Sequence, residues 1–206
     1  MYLVCMDLES VLIPEIWIAI AEHTGIPELK LTTREVSNYE TLMKKRLQVL
    51  FANNLTIKDV QKIIKSVKPF YGAIPFLNWL REHFPTIILT DSFYEFVFPI
   101  MKKLSYPTIF SNYLEIDERG FINNFRMRQQ SGKEKALRTL MSLGFQTIAI
   151  GDSYNDISML KEANIGILFR PSKNIREDFP DLRVVNNYAE LKNQLSQYSI
   201  PLEIKS

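Results

Sequence analysis

This chain has little of what the most specialised sites are made from. Among its 206 residues there is a single cysteine, Cys5. No disulfide can form within it, and a reducing compartment fits that usage. The two histidines, His23 and His83, lie far apart in sequence. With one cysteine they argue against a zinc centre and direct any metal to oxygen ligands. Neither sign of charge is in excess: 25 Lys and Arg against 23 Asp and Glu leave +2. Charge alone therefore gives no reason to expect a nucleic-acid or membrane-surface partner. No uncharged apolar stretch approaches the ~18 residues of a membrane span. A cationic amino-terminal segment is absent, and Asp7 and Glu9 cut the first apolar run short. A secretory signal is thus not expected, and a cytoplasmic protein is. Repeats and low-complexity segments are also lacking.

What is present is a core. Hydrophobic residues make up 46% of the chain, enough for one generous domain or a domain carrying an insertion. The chain opens on an uncharged, largely apolar run, residues 2–6, that ends on Asp7 and Glu9. Its length suits a buried strand, although periodicity alone also fits a helix segment. As a central parallel strand it would put Asp7 at its carboxyl end, where open α/β sheets bind ligands. On a regular strand the two carboxylates would share a face. Two negative charges held together ask for a cation or a proton between them. Cys5, inside the apolar run, reads as core rather than as a nucleophile.

Helical signals follow. Pro14 and Gly25 punctuate one helix, residues 33–52 look helical, and Thr56–Asp59 resembles a capping box. Gly72–Phe84 is a further helix, with Pro75 in its first turn. Then Thr86–Thr90 reads as a strand, Phe93–Leu104 as a helix, and 112–128 as a hairpin around Glu118-Arg119-Gly120. Ser131–Leu143 is a helix stopped by Gly144. The run 147–150 and the segments 165–169 and 183–185 read as strands, with helices up to Ala163 and over Tyr188–Gln197. Strands alternating with helices predict a parallel α/β sheet. The helices directly after strand one interrupt that alternation and predict a helical cap over the sheet's carboxyl edge. The expected division is 1–13 with 76–206 as core and 14–75 as cap.

Polar groups sit at the strand ends: Asp7 and Glu9, then Thr90-Asp91-Ser92, then Lys133, then Asp152, Asn155 and Asp156. Taken singly, each has an ordinary reading as a turn residue, a helix cap or a solvated lysine. Their order and spacing are more specific. Asp7-Leu8-Glu9-Ser10-Val11, Ile87-Ile88-Leu89-Thr90, Lys133 and Gly151-Asp152-Ser153-Tyr154-Asn155-Asp156 resemble the four motifs of the haloacid dehalogenase superfamily of phosphohydrolases. The likeness extends over nearly the whole chain. Within the superfamily it is greatest to phosphoserine phosphatases. The run Asp7–Ile18 and Phe93-Tyr94-Glu95-Phe96 look like the bacterial group of phosphoserine:homoserine phosphotransferases. Glu9, where most of the superfamily has Asp, is a mark of that group.

The resemblance implies a Rossmann-like core with a cap, and Mg²⁺ held by Asp7, Asp152 and the main-chain carbonyl of Glu9. It implies Asp7 as a nucleophile that becomes an aspartyl-phosphate, and Glu9 as acid and base. Phosphate oxygens would be met by Thr90, the Asp91 main-chain N–H, Lys133 and Asn155. Asp156 would hold Lys133 or the metal's waters. From the cap, Glu15 would bind the substrate's ammonium and Arg46 its carboxylate; the ordinary readings are a charge at a helix start and a solvated basic face. Trp17, Phe93 and Tyr94 read as core or pocket wall. The expected activity is dephosphorylation of L-phosphoserine, with water or homoserine as acceptor. The same chemistry on another small phosphomonoester, or an inactive binding module, are the alternatives. No nucleic acid or membrane partner is expected, and a homodimer is allowed. A dinucleotide-binding domain lacks support, because carboxylates follow strand one where a glycine-rich turn would be required.

Overall fold

The computed structural model describes residues 1–31 and 38–199. Seven strands form one sheet in the order β4-β3-β2-β1-β5-β6-β7. These are β1 (Tyr2–Met6), β2 (Thr86–Phe93), β3 (Ile109–Ile116), β4 (Ile122–Arg126), β5 (Gln146–Gly151), β6 (Ile165–Phe169) and β7 (Arg183–Val185). All neighbours run parallel except β3 and β4, which form the expected antiparallel hairpin.

The helices are α1 (Ile16–Thr24), α2 (Tyr39–Ala52), α3 (Ile57–Ser66), α4 (Ala73–His83), α5 (Tyr94–Met101), α6 (Gly132–Ser142), α7 (Ile157–Glu162), α8 (Lys173–Asp178) and α9 (Tyr188–Ser196). They cover both faces of the sheet. Val4 and Met6 point into a core shared with α1, α3, α4, α5 and α9. Leu3 and Cys5 point the other way, into a core with α6, α7 and α8. Being buried on both faces makes β1 read as a continuous apolar run.

Local chemistry sets the helix ends. Gly25 ends α1 with φ 72°, its N–H donating to the Ala21 carbonyl. Thr56 and Asp59 form a reciprocal capping box at α3. Of the helical segment read over 33–52, residues 33–37 lie outside the described residues; α2 begins at Tyr39, capped by Asn38.

Three details differ from the sequence reading. Strand β1 stops at Met6 as expected, but Asp7 and Glu9 do not continue it and so do not share a strand face. The chain turns tightly instead: the Leu8 carbonyl accepts from the N–H groups of Leu12 and Ile13, and Ser10 sits at φ 59°. Strand β2 runs on through Asp91 to Phe93 past an irregularity against β3, and α5 ends at Met101 rather than Leu104. Helix α8 was not foreseen. It is six residues long, mostly polar, and buries only Ile175, too little for a periodic pattern to show.

Candidate active site

The registers align the carboxyl ends of the three central strands. Met6 is level with Ile88 of β2 and with Ile150 of β5. Asp7, Thr90 and Asp152 therefore leave one edge side by side. The Asp7 N–H donates to the Ile150 carbonyl at 2.9 Å, extending the ladder one residue past β1.

Lys133, in the first turn of α6, is the electrostatic centre. It is 6% exposed. Its Nζ lies 2.8 Å from Asp156 Oδ1, 2.9 Å from Asp7 Oδ2 and 3.4 Å from Asp91 Oδ2. Burial alone would lower its pKa, but these carboxylates together hold the ammonium well above its usual value. Asp7 is pushed the other way. Burial raises its carboxyl well above the usual range against the pull of Lys133, helped by the charges of Asp156 and Asp91. Its Oδ1 also accepts from the Leu8 N–H at 2.7 Å, which fixes the carboxylate plane.

Asp156 is fully buried and builds the loop around itself. Oδ2 accepts from the N–H groups of Asp152 and Ser153 at 3.0 and 3.2 Å and from Ser153 Oγ at 3.2 Å. Oδ1 takes Lys133. Gly151 permits this packing: a Cβ there would lie 2.4 Å from Asp156 Cβ and Cγ. Burial, then the Asp156 and Glu15 charges, lifts Asp152 to about 7.

Asp7, Asp152 and Asp156 each present an oxygen within 4.8 Å of the others. Three carboxylates meet one lysine and Asp152 lies beside them, so the cluster has more acidic groups than its one cation can balance. A divalent cation suits that surplus and the all-oxygen donor set. Asp7 and Asp156 each already meet protein donors at both oxygens.

Glu9 is reached by the turn after β1. Its carboxylate accepts from the Ile16 N–H at 2.7 Å, the first of α1. Burial and the neighbouring Glu15 charge raise it to about 8. The shift favours the protonated form of Glu9. Glu15 accepts from Ser10 Oγ at 2.8 Å. Arg46 is 8% exposed and not the solvated lysine-rich face its neighbours suggest. Its guanidinium lies 4.7 Å over the Trp17 ring and donates to the Leu31 carbonyl at 2.7 Å. Its buried Nε has no protein partner, the only such side-chain nitrogen or oxygen among the described residues. Thr90 Oγ1 accepts from the Ser92 N–H at 3.1 Å, which commits a lone pair and not its proton.

Glu9, Glu15, Arg46, Asp91, Asp152 and Asn155 line a single cavity of about 510 Å³, with Trp17 and Tyr39 as aromatic wall. Asp7 and Lys133 do not line it; Lys133 meets Asp91, which does, at 3.4 Å, and Asp7 at 2.9 Å. Of the other residues singled out in the sequence, Lys133 lines an adjoining cleft with Asp91 and Asn155, and Asp7 and Thr90 line neither space. Missed were the Asp91 carboxylate, which faces Lys133, and Asn112. The Asn112 Nδ2 donates to the Asp91 carbonyl at 2.8 Å while its Oδ1 accepts from the Arg128 N–H. A buried asparagine on a strand leaves no signature in a sequence. Trp17, given no role beforehand, is the platform beneath Arg46.

Residues 4–164 match the model of haloacid dehalogenase-like hydrolases. The chain belongs to that family. It is 45% identical over 97% of both chains to phosphoserine phosphatase ThrH of Pseudomonas aeruginosa. To a phosphoserine phosphatase of Pseudomonas syringae it is 44% identical, over 95% of this chain and 82% of that one. Among solved structures, a phosphoserine phosphatase trapped as a phospho-aspartyl intermediate analogue superposes with TM-score 0.73 at 25% identity, covering 95% of this haloacid dehalogenase-like chain and 97% of the other. An apo phosphoserine phosphatase gives TM-score 0.75 at the same identity, covering 95% and 98%. Among the described residues no helix is long and apolar enough to cross a membrane.

Proposed function

We propose that the protein removes phosphate from L-phosphoserine through an aspartyl-phosphate on Asp7 and passes it to water or to an amino-acid hydroxyl such as homoserine. The observation that carries this is the contact between the buried Asp7 carboxylate and Lys133 at 2.9 Å, in a cluster with Asp152, which itself lines a cavity together with Glu15 and Arg46. The long likeness to phosphoserine phosphatases supports the choice of substrate.

Asp7 attacks phosphorus, and the serine oxygen leaves with its bonding pair. Glu9, whose raised pKa favours the protonated form, gives that oxygen its proton. The resulting Glu9 carboxylate then takes the proton of the incoming acceptor. Lys133, the Thr90 hydroxyl, the Asp91 N–H and Asn155 meet the phosphate oxygens, a matter of position and charge rather than covalent chemistry. Asp7, Asp152 and the Glu9 carbonyl would hold Mg²⁺, which offsets the repulsion between a phosphate dianion and an attacking carboxylate. Residues 14–75 form the cap over a core of 1–13 and 76–206. Glu15 takes the substrate's ammonium, and Arg46, with its unpartnered Nε, takes the carboxylate.

The test is incubation with L-phosphoserine and Mg²⁺, with and without homoserine, following orthophosphate and phosphohomoserine. Both products are expected when homoserine is present. Asp7→Asn should abolish both. No turnover of phosphoserine by the parent protein, or activity retained in Asp7→Asn, overturns the reading.

A further inference from the structure

Strand β2 loses its register against β3 where the site begins. From Leu89 to Phe93 it advances four residues, while β3 advances two, from Phe110 to Asn112. Thr90, Asp91 and Ser92 fall in that interval. An irregularity of this kind takes backbone out of the ladder and re-aims what it carries. Backbone groups withdrawn from a ladder need other partners.

For the Asp91 carbonyl that partner is a side chain of the neighbouring strand. Asn112 Nδ2 donates to it at 2.8 Å, and the Tyr39 hydroxyl adds a longer bond at 3.3 Å. Asn112 is 4% exposed and uses its other end as well, Oδ1 accepting from the Arg128 N–H at 2.9 Å. Arg128 lies in the link between β4 and α6. Its guanidinium donates to the Gly132 carbonyl at 3.1 Å, part of the peptide that joins Gly132 to Lys133. The same guanidinium lies 5.3 Å over the ring of Phe110, two residues before Asn112 on β3. Lys133 then reaches back to Asp91 Oδ2 at 3.4 Å. The contacts close a ring that runs from Asp91 through Asn112, Arg128 and Gly132 to Lys133 and back. Asn112 is its buried joint between β2 and the link to α6.

Satisfying two buried backbone groups contributes to stability wherever it occurs. What sets Asn112 apart is where those groups belong. One is the main chain of Asp91, whose N–H is a proposed donor to the phosphate. The other is in the link that leads to Lys133, whose ammonium is proposed to meet the same group. A primary amide is planar, with its donor and acceptor at a fixed separation. It therefore acts as a spacer between the two backbone segments.

We propose that Asn112 is a positioning residue for the phosphate group: it spaces the Asp91 main chain against the start of α6, so that the Asp91 N–H and the Lys133 ammonium meet one phosphoryl group together. This rests on the function proposed above and deepens it by a residue outside the reacting groups.

The experiment probes the two ends of the substrate separately. The Mg²⁺-loaded protein is titrated calorimetrically with orthophosphate, for the phosphate end, and with L-serine, for the end edged by Glu15 and Arg46. In Asn112→Ala the Kd for orthophosphate should rise about tenfold, the worth of one hydrogen bond to a charged group, while that for L-serine stays within about twofold of the parent. A merely structural role loosens the site as a whole, so that both Kd values rise by a common factor. That result overturns the proposal, and so does an unmoved Kd for orthophosphate. If Asn112→Ala does not fold, Asn112→Ser, whose hydroxyl is too short to bridge both backbone groups, is read by the same criteria. A parent protein that binds orthophosphate but leaves L-phosphoserine intact overturns the substrate reading, and the orthophosphate titration of the variant still decides the part played by Asn112. A parent that binds no orthophosphate overturns both.

Discussion

Replacing Lys133 by methionine should be the most revealing perturbation of this site. The substitution keeps much of the side chain's bulk and removes its charge. In the native protein that ammonium lies within 3.4 Å of three carboxylates, and it is 6% exposed. Removing one member of a buried ion pair costs ~3–5 kcal/mol, because the partner is left buried without compensation. Here three partners are left, but they can take up protons, so the single-pair range is the reasonable expectation. For a domain of this size it corresponds to a thermal midpoint lower by about 6–20 °C. The sign of the pH dependence is fixed by the carboxylates. Asp7 and Asp152 already have pKa values above those of an unfolded chain, Asp152 at about 7. Groups with raised folded pKa values favour the folded state when protonated, and that advantage is lost as pH rises through the folded values. In EDTA the destabilisation should therefore be small near pH 5, where these groups can protonate, and full near pH 8. Millimolar Mg²⁺ should recover part of the loss, since a ligand bound only by the native state stabilises it. Thermal or urea denaturation at the two pH values, with and without Mg²⁺, reads all three effects. A variant in EDTA at pH 8 that matches the parent within about 1 kcal/mol would refute the claim that Lys133 balances the cluster.

Other expectations follow from single contacts. Asp152→Asn should raise the Mg²⁺ concentration needed for half-maximal activity by about tenfold or more, as expected for a lost ligand. The same change should raise the thermal midpoint in EDTA, because it removes a charge that Asp156 repels; a lower midpoint in EDTA would count against the electrostatic account. Gly151→Ala should destabilise by about 1–3 kcal/mol in urea denaturation, the usual cost of overpacking, since the added Cβ meets Asp156 at 2.4 Å; parental stability would mean that Asp156 moves freely. Cys5, buried with its thiol raised to about 12, should be inert to a thiol reagent at pH 8 until the chain unfolds. Rapid labelling of native protein would show that β1 is not the buried centre of the sheet.

Much of this architecture was legible because its signals are local. The apolar run at residues 2–6 is a strand buried on both faces, and the carboxylates that end it mark the sheet edge. Gly25, the Thr56–Asp59 box and the hairpin around Gly120 are chemical necessities of short segments, so they can be read a few residues at a time. What could not be read depends on convergence between distant parts. Asp91, Asn112 and Tyr39 come from two strands and a helix, and they meet at one carbonyl oxygen. None is unusual for its own segment.

Position 9 shows the same limit most clearly. Its departure from aspartate is visible in the sequence, but what the extra methylene does depends on the turn that follows β1. Ser10 reverses the chain at φ 59°, and the Glu9 carboxylate then lies 2.7 Å from the first N–H of α1. The residue proposed to move the proton is thereby joined to the first helix of the proposed substrate-binding region. A displacement of α1 would withdraw a hydrogen bond that favours the Glu9 anion and so raise its pKa further. Glutamate at this position thus makes proton transfer answer to the placement of the helix that carries Trp17, whose ring supports Arg46. The carboxylate that would handle the proton and the guanidinium that would hold the substrate are set by one element, which is why the length of a single side chain can matter to acceptor choice.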